Sequence, residues 1–312
     1  MKPLPTLRAL VNDRDEVAAR DGIVLCFFMH RSHGAVAHAV WRALQTYRRA
    51  IPPHALDWYP DDNGDYQTLD AKGWGRAQER LLDRCWPYRC SVELNEYCDA
   101  ASTYNFEYHG AWLDTAGVYN NEDPTCAVSF TLPTEYLMEH GPAHVRSLAL
   151  ELARELPLSF GYASFALVAN SGQWFAGRRA VLELRDRYTG LDIYKLGETA
   201  SRIGTRARGA YWLTFLGYPL LGRLGGSEHL RRLLPFPDVS RQALPPLEGE
   251  RVLLTLGEGP EAIDTLNQER PSPSLVALAR LLERFLHEEE RNWFRIFGDP
   301  EEMRRWTRRL CP

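Results

Sequence analysis

Residues 209–226, GAYWLTFLGYPLLGRLGG, admit three readings, and the choice among them sets the fold. The run is apolar enough to suggest a membrane segment. Its end has the glycine density of a phosphate-cradling loop. The whole could also be a buried strand that turns into a helix. Arg223, Pro219 and five glycines interrupt it, so it falls short of the roughly 20 apolar residues that cross a bilayer. GRLGGS lacks the lysine of G-x-x-x-x-G-K-[ST] and the spacing of G-x-G-x-x-G. Strand, turn and helix remain.

An echo earlier in the chain supports that reading. In AVSFTLPTEYLMEHGPAHVRSLAL (127–150), Leu132, Leu137 and Gly141 match Leu216, Leu221 and Gly225 at an offset of 84. After one inserted residue, His144, Val145, Arg146 and Leu148 match His229, Leu230, Arg231 and Leu233 at 85. Both copies read as apolar strand, proline-containing turn, glycine, helix and strand. Two copies are too few for a solenoid, and they predict two pseudo-repeated strand–helix–strand modules sharing one core. Strand alternation places Tyr211, Leu213 and Phe215 on one face, with Trp212 and Leu216 on the other.

Around these modules, GIVLCFFMH (22–30), CSVELNEY (90–97), STYNFEYH (102–109), CAVSFTL (126–132) and SFGYASFALV (159–168) read as strands. Helical spacing covers 32–50, 71–84, a segment ending at Leu156, and 176–188. A further helix starts at Ser272 as N-cap with Pro273 in first position. The fold class is therefore α+β: a mixed, largely antiparallel sheet with packed helices. Residues 1–312 read as a single domain with a C-terminal helical tail at 272–312. Subdivision, if present, falls near 110–125 or 190–209, the latter a glycine-punctuated stretch expected to be a mobile loop or boundary.

Hydrophobic residues at 45%, charged residues at 25% and a net charge of −4 describe an ordinary globular protein. The acidic balance weighs against a nucleic-acid binder, which concentrates basic residues on one face. The N-terminus lacks the apolar core of a signal peptide, so a cytoplasmic location and reduced thiols are expected. Cys85, Cys90 and Cys98 form C-x4-C-x7-C without the paired C-x2-C knuckle of zinc sites. They read as structural thiols. His30, His33 and His38 straddle a strand-to-helix junction and need not share a face, so surface or capping roles outweigh a metal site. No G-x-S-x-G elbow is present. Acids gather at Asp57, Asp61, Asp62 and Asp65, mixed with Trp58, Tyr59 and Tyr66, and again at Glu288, Glu289 and Glu290. The first group is too polar for the partly buried acid that catalysis needs; it reads as a solvated loop or a surface for docking a basic partner.

Several segments together resemble the bacterial type VI immunity proteins: LDWYPDDNGDYQTLDAKGW (56–74), FTLPTEYLMEHGPAHVRSLALELA (130–153), GYASFAL (161–167), YWLTFLGYPLLGRLGG (211–226) and RVLLTLGEGPEAID (251–264). The resemblance implies an antitoxin that binds a cognate toxin in the cytoplasm, without turnover and without a cofactor. The toxin it implies is a nuclease delivered by a type VI or related secretion system. Such a nuclease holds a phosphate backbone in a basic groove, which an acidic and aromatic surface could fill. Asp57, Trp58, Asp61, Asp62, Asp65 and Tyr66 are the candidate toxin-binding residues. No catalytic residue, metal, direct nucleic-acid contact or membrane contact is assigned. The alternative is a metal-dependent or hydrolytic enzyme with a dispersed site, around His30–His38 or a cleft near 190–209.

Overall fold

The computed structural model describes residues 2–11, 15–83, 89–114, 123–169, 174, 176–288 and 299–311. Its framework is a sheet of eleven strands whose spatial order is β10-β11-β9-β8-β2-β7-β6-β5-β3-β4, with β1 added beside β2. The strands are β1 (Arg8–Leu10), β2 (Val17–Met29), β3 (Trp58–Pro60), β4 (Tyr66–Thr68), β5 (Arg89–Asn95), β6 (Asn105–Ala111), β7 (Cys126–Pro133), β8 (Phe160–Val168), β9 (Leu213–Leu216), β10 (Val239–Leu244) and β11 (Arg251–Leu256). All named strand pairs are antiparallel. The helices are α1 (His33–Ala50), α2 (Ala71–Leu82), α3 (Thr134–His140), α4 (Pro142–Ala153), α5 (Arg178–Arg187), α6 (Leu196–Ala200), α7 (Leu220–Arg223), α8 (Gly226–Leu233), α9 (Pro273–Leu282) and α10 (Pro300–Thr307).

β2 explains why its sequence is apolar without alternation. Ile23, Leu25, Phe27 and Met29 enter one core with α1, α2 and α4. Val24, Cys26 and Phe28 enter a second core on the other face, with α8 and α9. A strand covered on both sides has no polar face to show. Phe27 lies edge-on to Phe215, with ring centroids 5.3 Å apart; burying a ring of this size stabilises the fold by about 1.5–3 kcal/mol.

The pseudo-repeat is visible in three dimensions. β7 reaches β8 through α3 and α4 and skips over β2; β9 reaches β10 through α7 and α8 and skips over β11. Each module is a crossover between parallel strands split by one antiparallel strand. β9 runs opposite to β7, because β7 and β8 are both antiparallel to β2 and β9 is antiparallel to β8. The first pair of helices packs on α1's side of the sheet and the second on the opposite side. Both crossovers progress in the same direction along the strand order. Reversing strand direction and sheet face together preserves handedness, so the two modules share one hand. The matched residues occupy matched places: Leu132 with Leu216, Leu137 with Leu221, and Val145 with Leu230 are all buried. Gly141 and Gly225 both precede a helix at positive φ, +81° and +86°. The inserted residue, Gly226, is also at positive φ, +81°.

Three local expectations change. The proline-containing turn of each copy is a helix in its own right, α3 and α7, too short for its periodicity to register in the sequence. α4 ends at Ala153 rather than Leu156. Trp212 joins the core of Leu213 and Phe215, while Tyr211 joins that of Leu216. Regular alternation begins only at Leu213, because Tyr211 folds back and its N–H donates to the Thr214 hydroxyl.

Arg251 ties the modules together, as does Arg146 of α4, which donates to Thr255 (3.0 Å) and Gln242 (2.7 Å). Arg251 is 2% exposed, and its guanidinium donates to the carbonyls of Ala153 (3.0 Å), Leu156 (2.8 Å) and Arg154 (2.9 Å) at the C-terminal end of α4, and to Pro245. A strand of the second module thus caps a helix of the first, adding donors to the carbonyls at its end, two of which also accept a backbone N–H, and a cation to the negative helix end.

The glycines give a first quantitative test. Replacing Gly141 or Gly225 with alanine puts a side chain where positive φ disfavours one. A Cβ at Gly225 would also sit 2.9 Å from the His229 ring. Each substitution should lower the unfolding free energy by about 1–3 kcal/mol, read as a lower urea midpoint. Unchanged midpoints in both variants would refute this account of the module junctions.

Candidate functional site

The segment LDWYPDDNGDYQTLD (56–70) holds five aspartates and no lysine or arginine. It folds into the β3–β4 hairpin at one edge of the sheet, in register Trp58↔Thr68, Tyr59↔Gln67 and Pro60↔Tyr66. The tip closes by an Asp61 N–H to Asp65 carbonyl bond (2.9 Å) and a Gly64 N–H to Asp61 carbonyl bond (3.1 Å). Gly64 takes φ +88°, the left-handed residue that a three-residue hairpin loop requires. The Asp61 carboxylate accepts from the N–H groups of Asn63 (2.9 Å) and Asp65 (3.1 Å) and from the Gln67 amide (3.2 Å). These donors, the Asn63 N–H first, hold its carboxyl below the usual carboxylate range.

The six predicted residues therefore divide into three groups. Asp61, Asp62 and Asp65 stand together at the tip, but Asp61 is engaged in shaping the loop. Asp62 pairs with Arg80 of α2 at 3.5 Å. Asp65 is exposed and has no ion pair among the described residues. Trp58 and Tyr66 share the sheet face that points away from α2, since Pro60, two residues from Trp58, lies opposite Tyr66. Burial, with the nearby Glu93 charge, pushes the Tyr66 hydroxyl up to about 12. Asp57 lies at the base of β3, roughly 13 Å from the tip at the usual strand rise. Its carboxylate faces His54 at 3.5 Å.

Sequence reasoning missed what borders the hairpin. A groove of about 420 Å³ runs between the tip and α2, lined by Tyr59, Asp61, Asp62, Arg76, Arg80 and Glu93 among others. Arg76 donates to the Tyr59 hydroxyl at 2.9 Å. The groove is thus mixed in charge, and Asp65, exposed and without an ion pair among the described residues, stands at the tip beside it. It also missed the polar face of β5 and β6, where Glu93 stands opposite Glu107 and Asn95 opposite Asn105. The Asn105 amide donates to Asn95 at 2.6 Å, and Asn95 to Glu93 at 2.9 Å. The turn signal D-N-G-D could have located β4; a polar strand face in tertiary contact leaves no comparable signal.

The other predicted sites disperse. His30 faces Asp123 at 3.2 Å, His33 is buried against the Tyr108 hydroxyl at 2.8 Å, and His38 is exposed. Burial pushes the His33 imidazole down. No cluster of three or more metal-ligating side chains occurs among the described residues. Cys90 bonds the Arg80 carbonyl, Cys98 is half-buried, and Cys85 lies outside the described residues, as do Glu289 and Glu290. The N-terminus of α8, where the phosphate reading had pointed, already holds an anion of the chain's own: Glu250 accepts from the Ser227 N–H and hydroxyl. Near 190–209, the cavity over Asp192, Arg208 and Tyr211 measures about 30 Å³, room for roughly one water. A larger groove of about 620 Å³, between Lys2–Pro5 and residues 258–272, is crossed by the pairs Lys2–Glu269 and Arg187–Asp264. No described helix is long and apolar enough to cross a membrane.

A family model described as TsiV, "Type VI immunity for VRR-NUC", matches residues 39–310. No curated protein sequence matches the chain. Among solved structures, the chain is similar to a Pseudomonas aeruginosa T6SS protein, PA0821, with a TM-score of 0.78 at 19% identity, over 99% of this chain and 88% of that one. At that identity the likeness is one of fold.

Proposed function

We infer that this chain, which belongs to the TsiV family of type VI immunity proteins, neutralises its cognate nuclease toxin by binding alone, in the cytoplasm and without turnover. Family membership carries the reading: the matched model covers residues 39–310, nearly the whole fold. The acidic hairpin supplies the docking surface. Asp62 and Asp65 present negative charge at the tip, Asp61 holds the tip in shape, and Trp58 and Tyr66 add aromatic area beside it. Such a surface complements the basic groove in which a nuclease holds phosphates, and its field speeds encounter with that groove. Asp57 belongs at the rim.

The enzymatic alternative gains no observation in its favour. Its histidines point to separate partners, and its cleft near 190–209 has room for about one water.

The test uses the full chain with the toxin encoded beside it. A stable complex is expected, weakening steeply as salt rises, with protection of cells that express the toxin. A chain that neither binds nor protects overturns the reading.

A further inference from the structure

We propose that β4 receives an extended, lysine- or arginine-bearing segment of the toxin as an added strand, so that the sheet continues from one protein into the other. This rests on the immunity reading above and specifies how its hairpin engages the partner.

The hydrogen-bond phase of the hairpin carries the argument. Leu69 N–H donates to the Asp57 carbonyl at 2.7 Å, and Asp61 N–H donates to the Asp65 carbonyl at 2.9 Å. In an antiparallel pair, bonded and non-bonded positions alternate. Each of these bonds marks a bonded position, so by alternation Tyr59 and Gln67 between them form the bonded pair, as the register requires; the Asp57 N–H itself goes to the Asn95 carbonyl of β5. Tyr66 and Thr68 fall in between, so their N–H and C=O groups point away from β3, out of the sheet. β4 is the terminal strand, and no backbone hydrogen bond outside the hairpin reaches those groups among the described residues; the Thr68 carbonyl lies against Gly73 of α2, which leaves both groups of Tyr66 and the Thr68 N–H for an added strand. Gln67 and Thr68 are exposed.

The opposite edge is guarded and this one is not. β10 is flanked by Pro235, Pro237, Pro245 and Pro246. Its Arg241 guanidinium folds back onto the Leu234 carbonyl at 2.5 Å. Prolines and charged side chains are the usual means of blunting an edge. β4 contains none, and is flanked instead by Asp65 and by Asp61 and Asp62 across the turn. That charge selects the occupant. A second copy of this chain would set its own aspartates beside these, and like charges across a strand pair oppose pairing. A basic strand would meet opposite charge at the same positions. Main-chain bonds then supply affinity, and the flanking acids supply selectivity.

Amide exchange in the complex with a catalytically dead toxin tests this. The Tyr66 and Thr68 amides should exchange at least about tenfold more slowly once bound, while the Gln67 amide, already bonded to β3, changes little. Thr68→Pro removes an outward N–H without touching the β3 ladder, and should weaken binding about tenfold or more. If that variant misfolds, exchange on the unaltered chain decides. Tight binding with no added protection at Tyr66 and Thr68 overturns strand addition and leaves the immunity reading standing. Absence of any toxin binding overturns the immunity reading itself. Protection that rises with the concentration of the free chain would show self-pairing, and would also overturn the proposal.

Discussion

Replacing Asp192 with alanine should lower the unfolding free energy by about 3–5 kcal/mol, the cost of leaving a buried charge without its partner. Asp192 is 1% exposed, and both its carboxylate oxygens accept from Arg208 Nη1 at 2.6 Å. The Tyr162 hydroxyl donates to it at 2.9 Å. Arg208 also donates to the Tyr211 hydroxyl (3.0 Å) and to the Ile193 carbonyl (2.6 Å), and Tyr162 stacks on Tyr211 with centroids 4.0 Å apart. The network fastens residues 189–212 onto β8, because Asp192 itself bonds the Phe165 carbonyl and the Leu167 N–H. Without the carboxylate, Arg208 would face Arg309, whose own guanidinium is pushed down by burial and held by the Thr189 carbonyl at 2.8 Å. A domain is stable by only about 5–15 kcal/mol, so the loss is a large fraction of the whole. The double variant Asp192→Leu/Arg208→Met should recover most of it, since apolar replacement of both partners is often neutral. Urea unfolding of the three proteins decides the matter. A single-variant loss below about 1 kcal/mol would mean that the pair is dispensable.

The second large effect is on binding. The double variant Asp62→Lys/Asp65→Lys should weaken the toxin complex by about 100-fold or more, at roughly tenfold per 1.4 kcal/mol. Both residues are exposed and neither carboxylate closes the loop, which Asp61 does; the Asp62–Arg80 pair lies at the surface, where such pairs add little. The urea midpoint should therefore stay close to that of the unaltered chain, as for most surface changes. Most of the loss should appear in the association rate and shrink as salt rises, because steering by exposed charge is screened. Asp61→Asn gives the contrast: its amide oxygen can still accept from Asn63 and Asp65, so a smaller loss is expected. Unchanged affinity in the double variant would remove the tip from the docking surface, whatever the rest of the hairpin does.

Much of the scaffold was legible in the sequence because burial leaves periodic traces. The leucines at 132, 137, 216 and 221 repeat because each fills the core at the same point of a module. Gly141 and Gly225 repeat because both junctions need positive φ. Strand order left no trace. That β7 and β8 flank β2, and that β9 and β10 flank β11, depends on contacts between distant segments. Arg251 and the Asp192–Arg208 pair were equally silent. An arginine in an apolar strand and an aspartate after a glycine turn look ordinary until their distant partners are placed. At the candidate site, the aspartates and aromatics were legible as composition. Their division into tip, face and base follows only from the register of the hairpin, whose three-residue second strand is too short to leave a period of its own.

The β3–β4 hairpin lies outside both crossover modules, at the far end of the sheet from the second. If the hairpin is the docking surface, as proposed, substitutions there leave the leucines, the junction glycines and the Arg251 clasp of the repeated scaffold untouched. On that proposal, recognition and foldability answer to different stretches of the chain, and the edge of the sheet can change without disturbing its centre.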